Sequence, residues 1–216
     1  TFKKSDKGEH SKVVFRTRYG FTLAADMYIP KNAEGKLPAI AVAGPFGAVK
    51  EQVSGFYAQT LAEQGFLTIA FDPSYTGESS GEPRFTASPD INTEDFMAAV
   101  DYLSNNDRVD PERIGIIGIC GWGGMAINAA ALDPRIKATV TSTMYNMSRV
   151  YANGYFDKEN SAADRMKKKK ALAAERTAEY RRGTYARAAV NQDQVPADAP
   201  QFVKDYHDYY RTPLGY

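Results

Sequence analysis

"IGIIGICGWGG", residues 114–124, carries an apolar run into a cysteine and a cluster of glycines. Ile114 to Ile119 has the continuous hydrophobicity of a strand buried on both faces. "GGMAINAAAL" (123–132) reads as a helix whose small residues let it lie close on a sheet. The chain therefore turns sharply from strand to helix at Cys120, its only cysteine. Such a corner suits phosphate binding, redox chemistry or a nucleophile, and the rest of the sequence has to separate these.

Outward from the corner the elements alternate. Val13 and Phe15, then Leu23, Ala25, Met27 and Ile29, alternate with polar neighbours and predict two strands hinged at Tyr19-Gly20. "PAIAVAG" (38–44) and "FLTIAFD" (66–72) are further buried strands, separated by a helix over 53–64 that Gly65 closes. Asn92 is placed to cap a helix reaching about Asn105, with Phe96, Val100 and Leu103 on one face. After the corner helix, "IKATVTS" (136–142) is one more strand. A β-hairpin followed by alternating strands and helices predicts an α/β fold, with a mostly parallel, doubly wound sheet and right-handed crossovers. Residues 1–142 form this core, and residues 143–216 form a helical lid or cap region. The latter holds a long helix ending at Gly183, a linker "NQDQVPADAP" (191–200) and a short amphipathic helix "QFVKDYHDYYR" (201–211).

Composition narrows the function. With 27 basic and 26 acidic side chains in 216 residues, no global field recruits nucleic acid or an anionic membrane. No apolar run approaches the roughly 20 residues of a membrane span, and the polar start "TFKKSDKGEHSK" has no signal-peptide core, so a cytoplasmic setting is expected. Lys167 to Lys170 lie in a run without aromatic interleaving and read as a solvated helix face. The two histidines are not paired and there is no second cysteine, so neither a metal nor any other cofactor is expected.

Three readings of the corner then compete. Gly121, Gly123 and Ala126 satisfy G-x-G-x-x-A, but the next strand ends "TVTSTMYN", without the acidic residue that would hold a ribose. A thioredoxin-type cycle lacks its second cysteine. The third reading is a nucleophile elbow. The residue at the turn is forced into a strained conformation, its neighbours must be small, and its side chain stands at a helix N-terminus that favours an oxyanion. Gly118-Ile119-Cys120-Gly121 fits that pattern, although Trp122 stands where a closing glycine is usual.

On the loops "AGPFGAVKEQ" (43–52), "FDPSYTGESSGEPR" (71–84) and "GICGWGG" (118–124), the sequence resembles the α/β-hydrolase superfamily. Within it, the sequence is similar to a dienelactone-hydrolase-like or esterase-like branch that can use cysteine. The resemblance implies Cys120 as the nucleophile and the backbone N–H groups of Phe46 and Gly121 as the oxyanion hole. Comparable donors contribute about 3–4 kcal/mol each. Loop positions place Tyr75 and Trp122 toward the substrate. Asp72 and Glu78 are expected to hydrogen-bond their loop, and Arg84 to pair with Glu82. The implied substrate is a small ester, lactone or thioester; a non-catalytic binding protein on the same fold is the competing reading.

Hydrolysis also requires a base. In the hydrolase fold the acid and histidine follow the nucleophile on later strands. Here His10 is expected to be solvated ahead of the first strand, and His207 to be packed or at the rim of an apolar face made by Phe202, Val203, Tyr206 and Tyr210. The expected partners are accordingly an acyl substrate, a possible second copy of the chain, and a C-terminal segment carrying the missing strands.

Overall fold

The computed structural model describes residues 2–186 and 195–211, with only the backbone of Tyr210. The chain forms two compact units, one up to Tyr151 and one from Ala152 onward. Residues 143–151, expected in the helical region, thus belong with the sheet.

The first unit is built on a six-stranded sheet in the order β1-β2-β4-β3-β5-β6. The strands are β1 (Gly8–Arg16), β2 (Thr22–Pro30), β3 (Leu37–Ala43), β4 (Leu67–Phe71), β5 (Val109–Ile119) and β6 (Ile136–Ser142). β1 and β2 form the antiparallel hairpin, and β2 then pairs antiparallel with β4. The pairs β3–β4, β3–β5 and β5–β6 are parallel, the arrangement that the alternating elements predict.

The buried runs serve both faces because side chains alternate along a strand. On one face Ala39, Ala41, Leu67, Ile69, Phe71, Ile114 and Ile116 meet α2 (Pro89–Ser104) and α3 (Trp122–Leu132). On the other, Val42, Ala70, Ile117 and Ile119 meet Ala58 and Ala62 of α1 (Val53–Ala62). α2 starts earlier than Asn92. Ser88 is its N-cap and Pro89 its first residue, where the missing N–H costs nothing. Asn92 instead accepts the Ser88 N–H with Oδ1 (2.8 Å) and donates from Nδ2 to Asp95 (2.9 Å).

β6 differs from its neighbours. Among the described residues it pairs with β5 alone, and Val140 is 54% exposed.

The second unit begins within the last turn of α4 (Met147–Asn153) and contains α5 (Ala162–Arg182) and α6 (Gln201–Tyr210). Ser161 caps α5 by accepting the Asp164 N–H, and Gly183 ends it in the left-handed conformation, as the sequence predicts. No residue of α5 is buried, so Lys167 to Lys170 lie on an open helix. Residues 191–194 of the expected linker, and the Tyr210 side chain expected on the apolar face of α6, lie outside the described residues.

Candidate active site

β5 delivers the corner. Ala43 of β3 pairs with Gly118 and Ser142 of β6 pairs with Ile119, so the strand is fixed on both sides up to its last residue. Cys120 then takes φ +60, a conformation that costs a side-chain-bearing residue about 1–2 kcal/mol. Three backbone bonds hold it there. Its N–H donates to the Ser142 carbonyl (2.8 Å), and its own carbonyl accepts from Gly123 (3.0 Å) and Tyr145 (3.2 Å).

α3 begins at once, with Gly121 as an N-cap that has no side chain to satisfy the helix N–H groups. A Cβ on Gly118 would lie 2.3 Å from the Trp122 carbonyl, and one on Gly121 would lie 2.0 Å from the Phe46 ring. The strand–helix crossing and the approach of the 43–52 loop thus both demand glycine. Among the described residues, the N–H groups of Phe46 and Gly121 donate no hydrogen bond. Cys120 is half-buried against the α1 face of the sheet, in the cluster that also contains Val53 and Tyr57. Tyr57 Oη lies 3.2 Å from Ser142 Oγ beside the corner.

Gly121, next to Cys120, thus meets the Phe46 ring; Trp122 shares that contact as a core residue, and Tyr75 packs elsewhere. Trp122 is 3% exposed, with its ring 6.1 Å from Phe46 and 6.0 Å from Phe96, so its apolar surface is used in the core and not in a pocket. Tyr75 packs edge-on against Phe21 at the hairpin (5.0 Å), and its backbone bonds Ser80 and Phe85. Reading the neighbouring strand end as well would have found Ser142 and Tyr145, because sites in open α/β sheets gather at the carboxyl ends of adjacent strands.

The loop after β4 is held by carboxylates. Asp72 accepts the N–H groups of Lys50 (2.7 Å) and Glu78 (2.9 Å) and the Lys50 ammonium (2.9 Å). Burial raises its pKa against these bonds. Glu78 is held down to about 2 by its bonds to Lys12 and then Lys50. Asp95 on α2 accepts from Ser74 N–H (2.9 Å), Ser74 Oγ (2.6 Å) and Asn92; burial raises it to about 6 in spite of them. Arg84 donates its guanidinium to the carbonyls of Gly77, Ser79 and Gly81, while it is its backbone N–H that meets the Glu82 carboxylate.

The histidines lie elsewhere. His10 falls within β1, not ahead of it, with Nε2 3.1 Å from Asp26 and its ring 5.0 Å from that of Tyr28. β2, β4 and β3 separate β1 from β5, a distance of about 19 Å at strand spacing. His207, in the second unit, has Nδ1 3.3 Å from Asp208. Among the described residues, no three His, Cys, Asp or Glu side chains are grouped to hold a metal ion, and no helix is long and apolar enough to cross a membrane.

Residues 20–212, nearly the whole chain, match the X-Pro dipeptidyl-peptidase (S15 family). The chain belongs to this family. An S15 chain with a strand–cysteine–helix corner is also similar to the protein PA2218 of Pseudomonas aeruginosa, at 58% identity over 217 residues. The match covers 100% of this chain and 58% of that protein, so the chain spans less than two thirds of its relative's length. The crystal structure of PA2218 superposes with a TM-score of 0.93, covering 100% of this chain and 67% of that one. A thiohydrolase, aneE, of Aspergillus aculeatus is 34% identical over 139 residues, which are 64% of this chain and 43% of that protein. The α/β hydrolase GrgF of Penicillium sp. shares the fold, with a TM-score of 0.68 at 24% identity over 91% of this chain and 64% of that one. The S15 chain thus has the α/β-hydrolase fold.

Proposed function

We propose that Cys120 is an acyl nucleophile, attacking the carbonyl of a small ester, lactone or thioester. The observation that carries this is the corner itself: a cysteine at φ +60 at the start of a helix whose N-cap, Gly121, packs against the Phe46 ring, with the Gly121 and Phe46 N–H groups making no hydrogen bond among the described residues. The corner stands at the N-terminus of α3, the positive end of the helix, where the Gly121 N–H makes no hydrogen bond among the described residues. The Gly121 and Phe46 N–H groups then hold the oxygen that becomes anionic as the S–C bond forms. The thiohydrolase among the relatives supports thioesters within this substrate class. A reducing cytoplasm would keep this thiol available.

Release of the acyl group needs a base to activate water. The separation of β1 from β5 removes His10 from this role. We assign the base to a segment that adds beside β6, a reading supported by the edge of that strand, which is unpaired among the described residues, and by the greater length of PA2218.

The test is to incubate the full chain with p-nitrophenyl acetate at neutral pH and to map the acylated residue by peptide mass analysis. Acetyl on Cys120, absent in Cys120→Ala, is the expected result. A Cys120 that remains free under acylation, and also inert to iodoacetamide, would instead support the non-catalytic binding protein.

A further inference from the structure

Lys50 is 1% exposed, in a loop where a lone lysine would ordinarily extend into solvent. Each of its ammonium contacts goes to a different carboxylate: Glu51 (2.8 Å), Asp72 (2.9 Å) and Glu78 (2.7 Å). Burial alone would neutralise it, but these three partners outweigh burial and keep the charge. The same residue donates its backbone N–H to the other oxygen of Asp72 (2.7 Å). One residue thus grips both oxygens of a fully buried carboxylate at the end of β4.

Besides the Lys50–Glu51 contact, hydrogen bonds within the 43–52 loop run from Ala48 N–H to the Pro45 carbonyl (3.3 Å), from Gln52 N–H to the Val49 carbonyl (3.0 Å), and from Val49 N–H to the Gln52 side chain (3.1 Å). At one end it continues from β3, whose last residue pairs with Gly118; at the other it is fixed by Lys50. Phe46 lies between, with its ring on Gly121 and Trp122. An oxyanion donor loses its value when it shifts by a fraction of an ångström, so the anchoring of this loop bears directly on the chemistry.

We propose that Lys50, clamped on Asp72, is the positioning residue that aims the Phe46 N–H at the oxygen of an acyl group on Cys120. The proposal rests on the nucleophile reading given above. Glu51 and Glu78 act with Asp72 to hold the ammonium, and Lys12 steadies Glu78 from β1 (2.8 Å). The clamp thereby joins three stretches of sequence around one buried charge.

Two reactions of the same thiol separate positioning from mere folding. Acylation by p-nitrophenyl acetate forms the S–C bond, releases nitrophenolate with the electrons of the broken C–O bond, sends the thiol proton to water, and passes through an oxyanion. Alkylation by iodoacetamide displaces iodide and forms no oxyanion. In the full chain, Lys50→Met should lower the acylation rate of Cys120 by about 10- to 100-fold while leaving alkylation within about twofold. Glu78→Gln, at an exposed carboxylate, should lower acylation about threefold and keep the fold. Equal loss of both rates, or no change in either, overturns the positioning role. If Lys50→Met does not fold, an unchanged acylation-to-alkylation ratio in Glu78→Gln overturns it. A wild-type thiol that alkylates but never acylates overturns the nucleophile reading itself, a different result from a wild type that acylates independently of Lys50.

Discussion

Replacing Cys120 by glycine should make the protein more stable than replacing it by alanine. Both variants lack the sulfur, so they differ only in whether a Cβ must be carried at φ +60. Relief of that Cβ returns about 1–2 kcal/mol. The greater freedom of glycine in the unfolded chain costs about 0.5–1 kcal/mol. The difference leaves Cys120→Gly ahead by about 0.5–1 kcal/mol, or roughly 1–4 °C in Tm for a unit of this size. The sign is the informative part. Ala129→Gly in the body of α3, where φ is ordinary and the methyl is buried, should lose stability instead. Urea unfolding followed by the fluorescence of Trp122, the single tryptophan and a buried neighbour of the corner, measures all three variants against wild type. If Cys120→Gly proves less stable than Cys120→Ala with the same urea dependence, the corner is not strained. The bonds from Ser142, Gly123 and Tyr145 would then not be holding a conformation that the chain resists.

Gly121→Ala meets the Phe46 ring and Gly123→Ala meets Met144 Cγ at 2.7 Å, a flexible side chain. Chemical denaturation should therefore rank Gly121→Ala as the more damaging, by about 1–2 kcal/mol, and only Gly121→Ala should also slow acylation of Cys120. Asp95 has a folded pKa of about 6 against its ordinary 3.8, so its proton is bound more tightly in the folded state. Stability should fall as pH rises from about 4 to 6, by on the order of 3 kcal/mol, and a Tm–pH profile of Asp95→Asn should lose that slope. Glu78 has the opposite sign: at about 2 against 4.5, its contribution is present above 4.5 and lost as pH falls toward 2. Glu78→Gln should flatten the acid limb of the same profile.

The sheet was legible because its central strands, at 38–43, 67–71 and 114–119, are uninterrupted apolar runs, and each crossover helix fills the interval between them. The nucleophile corner was legible for a related reason: glycines that look permissive in sequence are forced by contact, as at Gly118 and Gly121. Other features depended on tertiary placement. β1 opens with "GEHSK", whose polarity hides an edge strand, so periodicity does not show that His10 lies inside it. Trp122 looks like a pocket residue by size and position, yet the space between Phe46 and Phe96 takes its ring. Asn92 resembles a cap, but Ser88-Pro89 begins the helix first. Nothing around Lys50 signals burial, because its three carboxylates come from separate stretches or from the adjacent residue.

The pairing of β2 with β4, and not with β3, sets an order in time as the chain is made. The first hairpin is complete at Pro30, but the edge it joins begins at Leu67, which is 67 − 30 = 37 residues later. At synthesis rates of about 5–20 residues per second, the finished hairpin waits roughly 2–7 s for its place in the sheet. During that interval the far edge of β2 has no partner strand, and Leu23, Ala25 and Met27 lack the core residues of β4 and α2 that later cover them.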